Sequence, residues 1–453
     1  METTERFLDV HVERAGRPTV ISADEYRKYN CKRGLRNEDG TGVLVGLTEI
    51  GEVHGYIIDE GERVPAPGRL SYRGIDITDI VAGFQRDGRS GFEEVAYLLL
   101  FGTLPTPTEL DEFTSIIASR RELPPGFTED MVLRAPSSDI MNKLARSTLV
   151  CYSYDARAED STLRNIIVQC IDLIARFPAM IAYSYQAKRH YFDNESLYIH
   201  APDRALSCAE NFLQMIRPDR AYTQLEAQTL DLALVLHAEH GGGNNSAFTV
   251  HVVSSAATDT YSTIAAAIGS LKGAKHGGAN NRVMAMMDDI KVNVGDWADA
   301  DEVRDYLERI LRMEVGDRSG LIYGMGHAVY TVSDPRALLL KEKAETLARE
   351  KGRDDEFRLY SLIEDLVPHA FRSVKGYDRV IAPNVDFFSG FVYSMLNIAP
   401  ELYTPIFAMS RIAGWCAHLV EETVSGGRII RPAYKCVMPR RHYTPMAERT
   451  PNQ

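Results

Sequence analysis

Residues 230–239 read LDLALVLHAE. The pattern from 224 to 239 is helical, and this second half is aliphatic on almost every side. A helix that is apolar most of the way round must be buried on most sides, so the chain has to supply other elements to enclose it. Elsewhere, helical periods recur and strand signals are few. The expected fold class is therefore mainly α, with a small β element near the N-terminus.

The remaining elements follow from local signals. Residues 1–30 read as a polar arm. Val43, Val45 and Leu47 alternate, which predicts a strand region from Val43 to Asp59. Thr106-Pro107-Thr108-Glu109 is a capping box with proline at the first helical position, and Leu110, Phe113, Ile116 and Ile117 give that helix one apolar face. Ile140, Met141 and Leu144 start another. The apolar stretch 162–188 contains Pro178, which predicts a kinked or split helix. In AFTVHVVSSA, Phe248, Val250 and Val252 alternate, and β-branched residues favour a strand. TDTYSTIAAAIGSLKG reads as a helix stopped at Gly273, and the charge-rich stretches 290–320 and 338–366 read as solvated helices.

A chain of 453 residues exceeds one ordinary core, which suggests two or three domains or one large domain with an inserted lobe. The formal net charge of −12 argues against a general nucleic-acid binder, though a local arginine cluster can still hold a small anion. The six cysteines, at 31, 151, 170, 208, 416 and 436, show no CxxC spacing and read as reduced thiols. No uninterrupted apolar run nears the ~20 residues of a membrane span. METTERFLDV carries no apolar signal core, so a cytoplasmic location is expected. GxGxxG and P-loop motifs are absent, so no nucleotide cofactor is implied.

Four stretches place ionisable side chains among glycine and apolar residues: HAEHGGGNNS (237–246), GAKHGGAN (273–280), YGMGHAVY (323–330) running on to Asp334-Pro335-Arg336, and NVDFFSG (384–390) followed by Arg411 and Arg431. Each has a plain structural reading beside a chemical one. His237 sits in an aliphatic helix, where a core histidine with a satisfied ring is expected. His237 and His240 could form half of a metal site, but HExxH order and a third ligand are missing. Asp386 could be a helix N-cap, and the arginines could lie on the surface. Arg411, however, lies in an apolar helix, where a guanidinium needs an anion. His276 and His327 adjoin glycines, where a turn can expose an imidazole. Arginines that clamp carboxylates, histidines that donate to developing negative charge and one aspartate base suggest carbon-acid chemistry on a polycarboxylate.

In these motifs, in their order from YRGIDITD near residue 72 to RIIRPAY ending at 434, the chain resembles the citrate synthase family, most closely its bacterial members. The resemblance implies a helical homodimer. It implies a large domain from 1–279 and 393–453 and a small mobile domain from 280–392. The implied reaction is Claisen-type condensation of acetyl-CoA with oxaloacetate, then hydrolysis of citryl-CoA, with no cofactor beyond the CoA substrate. His276 then matches the enol-stabilising histidine, His327 the histidine that polarises the ketone, and Asp386 the base. His240, Asn244, Arg336 and Arg411 match oxaloacetate ligands, with Ser246 a weaker match, and Arg431 matches an arginine lent by the partner subunit. Arg36, Lys272 and Lys275 are the candidate CoA contacts, because Thr331 stands where the family usually has a basic residue. No nucleic-acid or membrane partner is implied. The same motifs would serve 2-methylcitrate synthase, since one methylene is worth only ~1–3 kcal/mol of discrimination. A citryl-CoA lyase and a non-catalytic polycarboxylate sensor are the remaining alternatives.

Overall fold

The computed structural model describes residues 21–37, 40–59, 62–376 and 380–449, together with positions 5, 7, 8, 11 and 12. Half of the arm expected over 1–30 lies outside the described residues. Its described part holds helix α1 (Ala23–Lys28), which starts on the Ser22 hydroxyl.

Three antiparallel strands follow in the order β1 (Gly51–Asp59), β2 (Glu62–Tyr72) and β3 (Ile75–Asp76). Gly51 pairs with Tyr72 and Val53 with Leu70, and the register slips between His54 and Tyr56. The strand region therefore begins later than the alternation of Val43, Val45 and Leu47 suggests. Those residues find no ladder partner, and Leu47 is 90% exposed; alternation without a neighbouring strand does not make one.

Helices α2 (Ile77–Arg86), α3 (Phe92–Phe101) and α4 (Pro107–Ser119) come next. The α4 capping box forms in full, with Thr106 and Glu109 each accepting from the other's backbone N–H. After α5 (Ile140–Cys151), helix α6 runs unbroken over Leu163–Asp193 with Pro178 inside it. The expected split is absent. Nineteen of its residues are buried, and that packing outweighs the roughly 3 kcal/mol an interior proline costs. Its composition and length would suit a membrane span, but 72% of that window is buried inside the protein, as in a core helix.

Then come α7 (Cys208–Ile216), α8 (Gln224–His237), α9 (Asn245–Ser254) and α10 (Thr260–Lys272). In α8, every residue from Thr229 to His237 is buried, as its all-round aliphatic character requires. The AFTVHVVSS stretch is helix α9, not a strand. Asn244 caps it by accepting from Ser246 N–H, and the buried residues Ser246, Ala247 and Val250 share one helical face. Burial of that face overrides the β-branched preference. The chain closes with α11 (Ala279–Asn293), α12 (Ala300–Leu311), α13 (Pro335–Lys351), α14 (Asp354–Lys375), α15 (Val385–Met395) and α16 (Tyr403–Val424).

These elements form two compact units. The first comprises Met1–Arg89, His240–Gly242 and Ala279–Pro400. It contains the sheet, with α13 packed on α15, α2 and β2, α11 on α15, and α12 on α14. The second comprises Ser90–Glu239, Gly243–Gly278 and Glu401–Gln453. Its centre is α16, which packs on α6, α9, α3, α10 and α8.

Candidate active-site residues

In the first unit, two chain segments are joined backbone to backbone. Gly326 N–H donates to Ala382 O over 2.8 Å, Asn384 N–H to Gly324 O over 2.9 Å, and the Asn384 amide to Gly326 O over 2.8 Å. The turn needs glycine at 324, where φ is +80° and an added Cβ would lie 2.9 Å from Phe387. This pairing sets His327 beside the first turn of α15. Asn384, not Asp386, is the N-cap of that helix. Asp386 therefore sits in the first turn with its carboxyl group free of capping duty.

His327 Nδ1 accepts the N–H groups of Val329 and Tyr330 over 3.1 and 3.2 Å. A neutral imidazole in that setting carries its proton on Nε2 and presents it as a donor. The ring is held near His240, whose centroid is 5.1 Å away, and Tyr330, at 4.7 Å. Burial pushes the His327 pKa down to about 4, with the Arg336 cation acting the same way. Burial pushes Asp386 up to about 6, against the pull of Arg336. At neutral pH these are a neutral donor and an ionised base that holds a proton more readily than an exposed aspartate.

Arg336 is buried and forked onto Asp334: Nε donates to Oδ1 over 3.0 Å and Nη2 to Oδ2 over 2.7 Å. Asp334 also accepts from the N–H groups of Arg336 and Val385, so one carboxylate ties the start of α13 to the start of α15. Tyr330 stacks under the guanidinium at 5.5 Å. The 329–335 loop lies against the sheet with no room to spare. A Cβ at Gly55 would meet Val329 O at 2.5 Å, and one at Gly68 would meet Ser333 O at 2.1 Å. Thr331 donates its hydroxyl to Gly55 O, so the position expected to be basic serves the sheet contact. Arg36 is exposed and reaches Gly40 O.

Helix α8 ends before Gly241, which has the left-handed φ of +79°. That helix ends at His237 with Ala238 as its cap, and Gly241 turns the chain beside Val53 on β1.

In the second unit, His276 meets Ser246, and Arg411 is near enough for its charge to act on the His276 ring. The Ser246 hydroxyl lies 3.2 Å from His276 Nε2, accepts Trp415 Nε1–H over 3.0 Å and donates to Asn244 Oδ1 over 2.9 Å. Burial pushes the His276 pKa down to about 4, and the Arg411 cation adds to this. Arg411, fully buried on α16, donates from Nε to His237 O over 2.7 Å and lies over the Phe407 ring at 4.8 Å. His237 stacks on that same ring at 4.5 Å; it supports Arg411, while His240 belongs with His327. Lys272 pairs with Asp139 over 2.8 Å, and Lys275 and Arg431 are exposed.

Sequence reasoning gave little weight to Ser246 and none to Trp415, Asp334, Tyr330 or Asn384. A serine two residues past an asparagine at a helix start, and an aspartate just before Pro335, are the available signals. A second polar chain in this unit was also missed. His418 on α16 bonds Glu239 over 3.0 Å and His251 over 3.1 Å, and His251 bonds Glu422 over 2.8 Å. Burial lowers the His418 pKa, but Glu239 and Glu421 outweigh it and bring it to about 9. Gly414 makes room for Glu239: an added Cβ there would lie 2.3 Å from Glu239 Oε2 and 2.4 Å from Ala238 O.

A family model described as the citrate synthase C-terminal domain matches residues 38–433. A citrate synthase of Haloferax volcanii is 37% identical over 88% of this chain and 94% of its own length. A 2-methylcitrate synthase of Shewanella oneidensis is 34% identical over 84% of this chain and 92% of its own. Among solved structures, the ternary complex of carboxymethyl coenzyme A and oxaloacetate with citrate synthase from the thermophilic archaeon Thermoplasma acidophilum is similar. It has a TM-score of 0.73 at 28% identity, covering 92% of this chain and 99% of that one.

Proposed function

The chain belongs to the citrate synthase family, and we propose that it joins the methyl carbon of acetyl-CoA to the ketone carbon of oxaloacetate, then hydrolyses citryl-CoA to citrate and CoA. Asp386 removes the methyl proton. Its pKa near 6 makes it a weak base for a carbon acid, so the thioester oxygen must be stabilised as it gains charge. His276 donates to that oxygen. Ser246 has one hydroxyl proton, which points to Asn244 Oδ1 at 2.9 Å; on this reading it turns to His276 Nε2 when substrate binds, which leaves the imidazole proton on Nδ1 for the substrate. His327 donates from Nε2 to the ketone oxygen as the new carbon–carbon bond forms. Water then adds to the thioester carbonyl as CoA leaves; the methyl proton held by Asp386 and the proton released from the water pass to the departing thiolate and back to His327, and the new carboxyl group ionises with release of one proton.

The observation that carries this reading is the pairing, in one unit, of a carboxyl group raised toward neutrality with a neutral imidazole whose tautomer the backbone fixes. His240, Asn244, Arg336 and Arg411 are proposed to hold the oxaloacetate carboxylates and ketone. Lys275 and Arg36 are proposed for the CoA phosphates, with Lys272 drawn from its exposed pair with Asp139, a bond worth ~1 kcal/mol or less. Exposed Arg431 is proposed to reach the site of a second copy.

Thiol release from acyl-CoA with oxaloacetate tests the reaction. Acetyl-CoA is expected to give the highest kcat/KM. A clear preference for propionyl-CoA makes the chain a 2-methylcitrate synthase, net cleavage of citryl-CoA makes it a lyase, and oxaloacetate binding without thiol release makes it a sensor. Mixing inactive Arg431→Ala and Asp386→Ala protomers is expected to restore part of the activity; confirmed mixed dimers without restoration rule out the shared site.

A further inference from the structure

We propose that His251, His418 and Glu421 bind one divalent transition-metal ion of the zinc class, at a site the condensation chemistry does not use. His251 Nε2 and His418 Nδ1 face each other at 3.1 Å, and Glu421 Oε2 is 3.8 Å from His418 Nδ1. All three ligand atoms lie within 4.8 Å of one another. Zinc–nitrogen bonds of ~2.0–2.1 Å in a tetrahedron put ligand atoms about 3.3 Å apart, so two of the three edges already have nearly the required length.

The outward ring nitrogens are already committed. His418 Nε2 is on Glu239 Oε1 at 3.0 Å and His251 Nδ1 is on Glu422 Oε2 at 2.8 Å. Carboxylates in those places fix each imidazole tautomer, as they do behind metal-bound histidines. Both inward nitrogens then direct lone pairs at each other, and something positive must lie between them. A single shared proton does this but leaves three carboxylates, Glu239, Glu421 and Glu422, around one positive charge. A dication brings the group closer to neutrality. Two imidazoles and a carboxylate favour zinc-like ions over magnesium or calcium.

The ligands stand on regular elements, His418 and Glu421 on consecutive turns of α16 and His251 on α9. A cleft of about 280 Å³, lined in part by Glu159, Asp160, Asp259, Ser255 and Glu422, gives an acidic approach that ends at Glu422, the carboxylate on His251 Nδ1. The ion would fasten α9 to α16, the helices that carry Ser246 and Trp415.

Chelator-treated full-length protein titrated with Co2+ tests the site. One Co2+ per chain is expected, with the visible bands of a tetrahedral nitrogen–oxygen site, displaced by one equivalent of Zn2+ but not by equal Mg2+. His251→Gln, which can still donate to Glu422, is expected to weaken binding at least tenfold. Should that variant fail to fold by circular dichroism, Glu421→Gln carries the same comparison. No stoichiometric binding, binding unchanged in the folded variant, displacement by Mg2+, or a thiolate charge-transfer band that places the ion on Cys31 or Cys436, would each overturn the proposal.

Discussion

Trp415 donates its indole N–H to the hydroxyl of Ser246 over 3.0 Å. Tryptophan cannot accept, so this bond uses a lone pair of Ser246 and leaves the hydroxyl proton for Asn244 Oδ1 at 2.9 Å or the His276 ring at 3.2 Å. The serine thereby couples a core indole to the His276 ring. Ser246→Ala strands a buried indole N–H, at a cost of about 1–3 kcal/mol, and removes the partner that orients His276. The expected result is a lower Tm together with a fall in kcat of at least about tenfold. Oxaloacetate affinity, measured by calorimetry, is expected to hold. An unchanged kcat would detach Ser246 from the chemistry.

The acid limb of the pH–rate profile is expected near pH 6, where Asp386 takes up its proton. His276 and His327, both near 4, stay neutral through that range. An apparent pKa near 4 in kcat/KM would remove Asp386 as the base.

The same carboxyl group has a signed effect on stability. Below its ordinary pKa of 3.8, folded and unfolded chains both hold the proton. Between 3.8 and about 6 only the folded chain holds it, and above that the group is ionised in both. Its contribution to stability is therefore lost as pH rises through this window. Asp386→Asn is expected to be inactive, and its Tm advantage over the wild type should widen from pH 4 to 6 and then level off.

Arg336→Lys keeps the charge but loses the fork onto Asp334. KM for oxaloacetate is expected to rise at least about tenfold, the equivalent of ~1.4 kcal/mol. Asp334→Ala is expected to be worse for stability, because it leaves a buried guanidinium without its carboxylate, a loss of about 3–5 kcal/mol. Chemical denaturation of both variants checks the order.

Gly68→Ala lies on a strand and touches no proposed substrate group. Its methyl group would still meet Ser333 O and push the loop that carries His327 and Arg336. A shift of about 1 Å can cost ~100-fold in rate. A marked fall in kcat is the expected outcome, and wild-type turnover in this variant would show that the loop tolerates displacement.

What the sequence made legible were features whose physics is local. Thr106 and Glu109 announce a capping box because both partners lie within one turn. The aliphatic run to His237 announces burial because no face is left for water. Where the outcome depended on distant residues, local patterns misled. Val43, Val45 and Leu47 alternate beside no strand. AFTVHVVSS became helical because its Ala247–Val250 face is buried in the second unit, and Pro178 sits in a continuous helix because the neighbours of α6 hold it. The candidate catalytic residues stood out by glycine context and motif order. Their supports did not, since Asp334 beneath Arg336 and Trp415 behind Ser246 are recognisable only once the chain has folded.

Gly414 carries a consequence for how this chain can change. Its missing methyl group lets α16 pass so close to residues 238–239 that both a backbone oxygen and the Glu239 carboxylate occupy the vacated space. Shortening Glu239 alone would not accommodate an alanine, because Ala238 O would still obstruct it. A larger residue at 414 must therefore move α16 itself, and with it Arg411, one turn earlier and bonded to His237 O. Position 414 works as a spacer of zero thickness: mutational routes through it are closed unless the end of α8 is rebuilt in the same step.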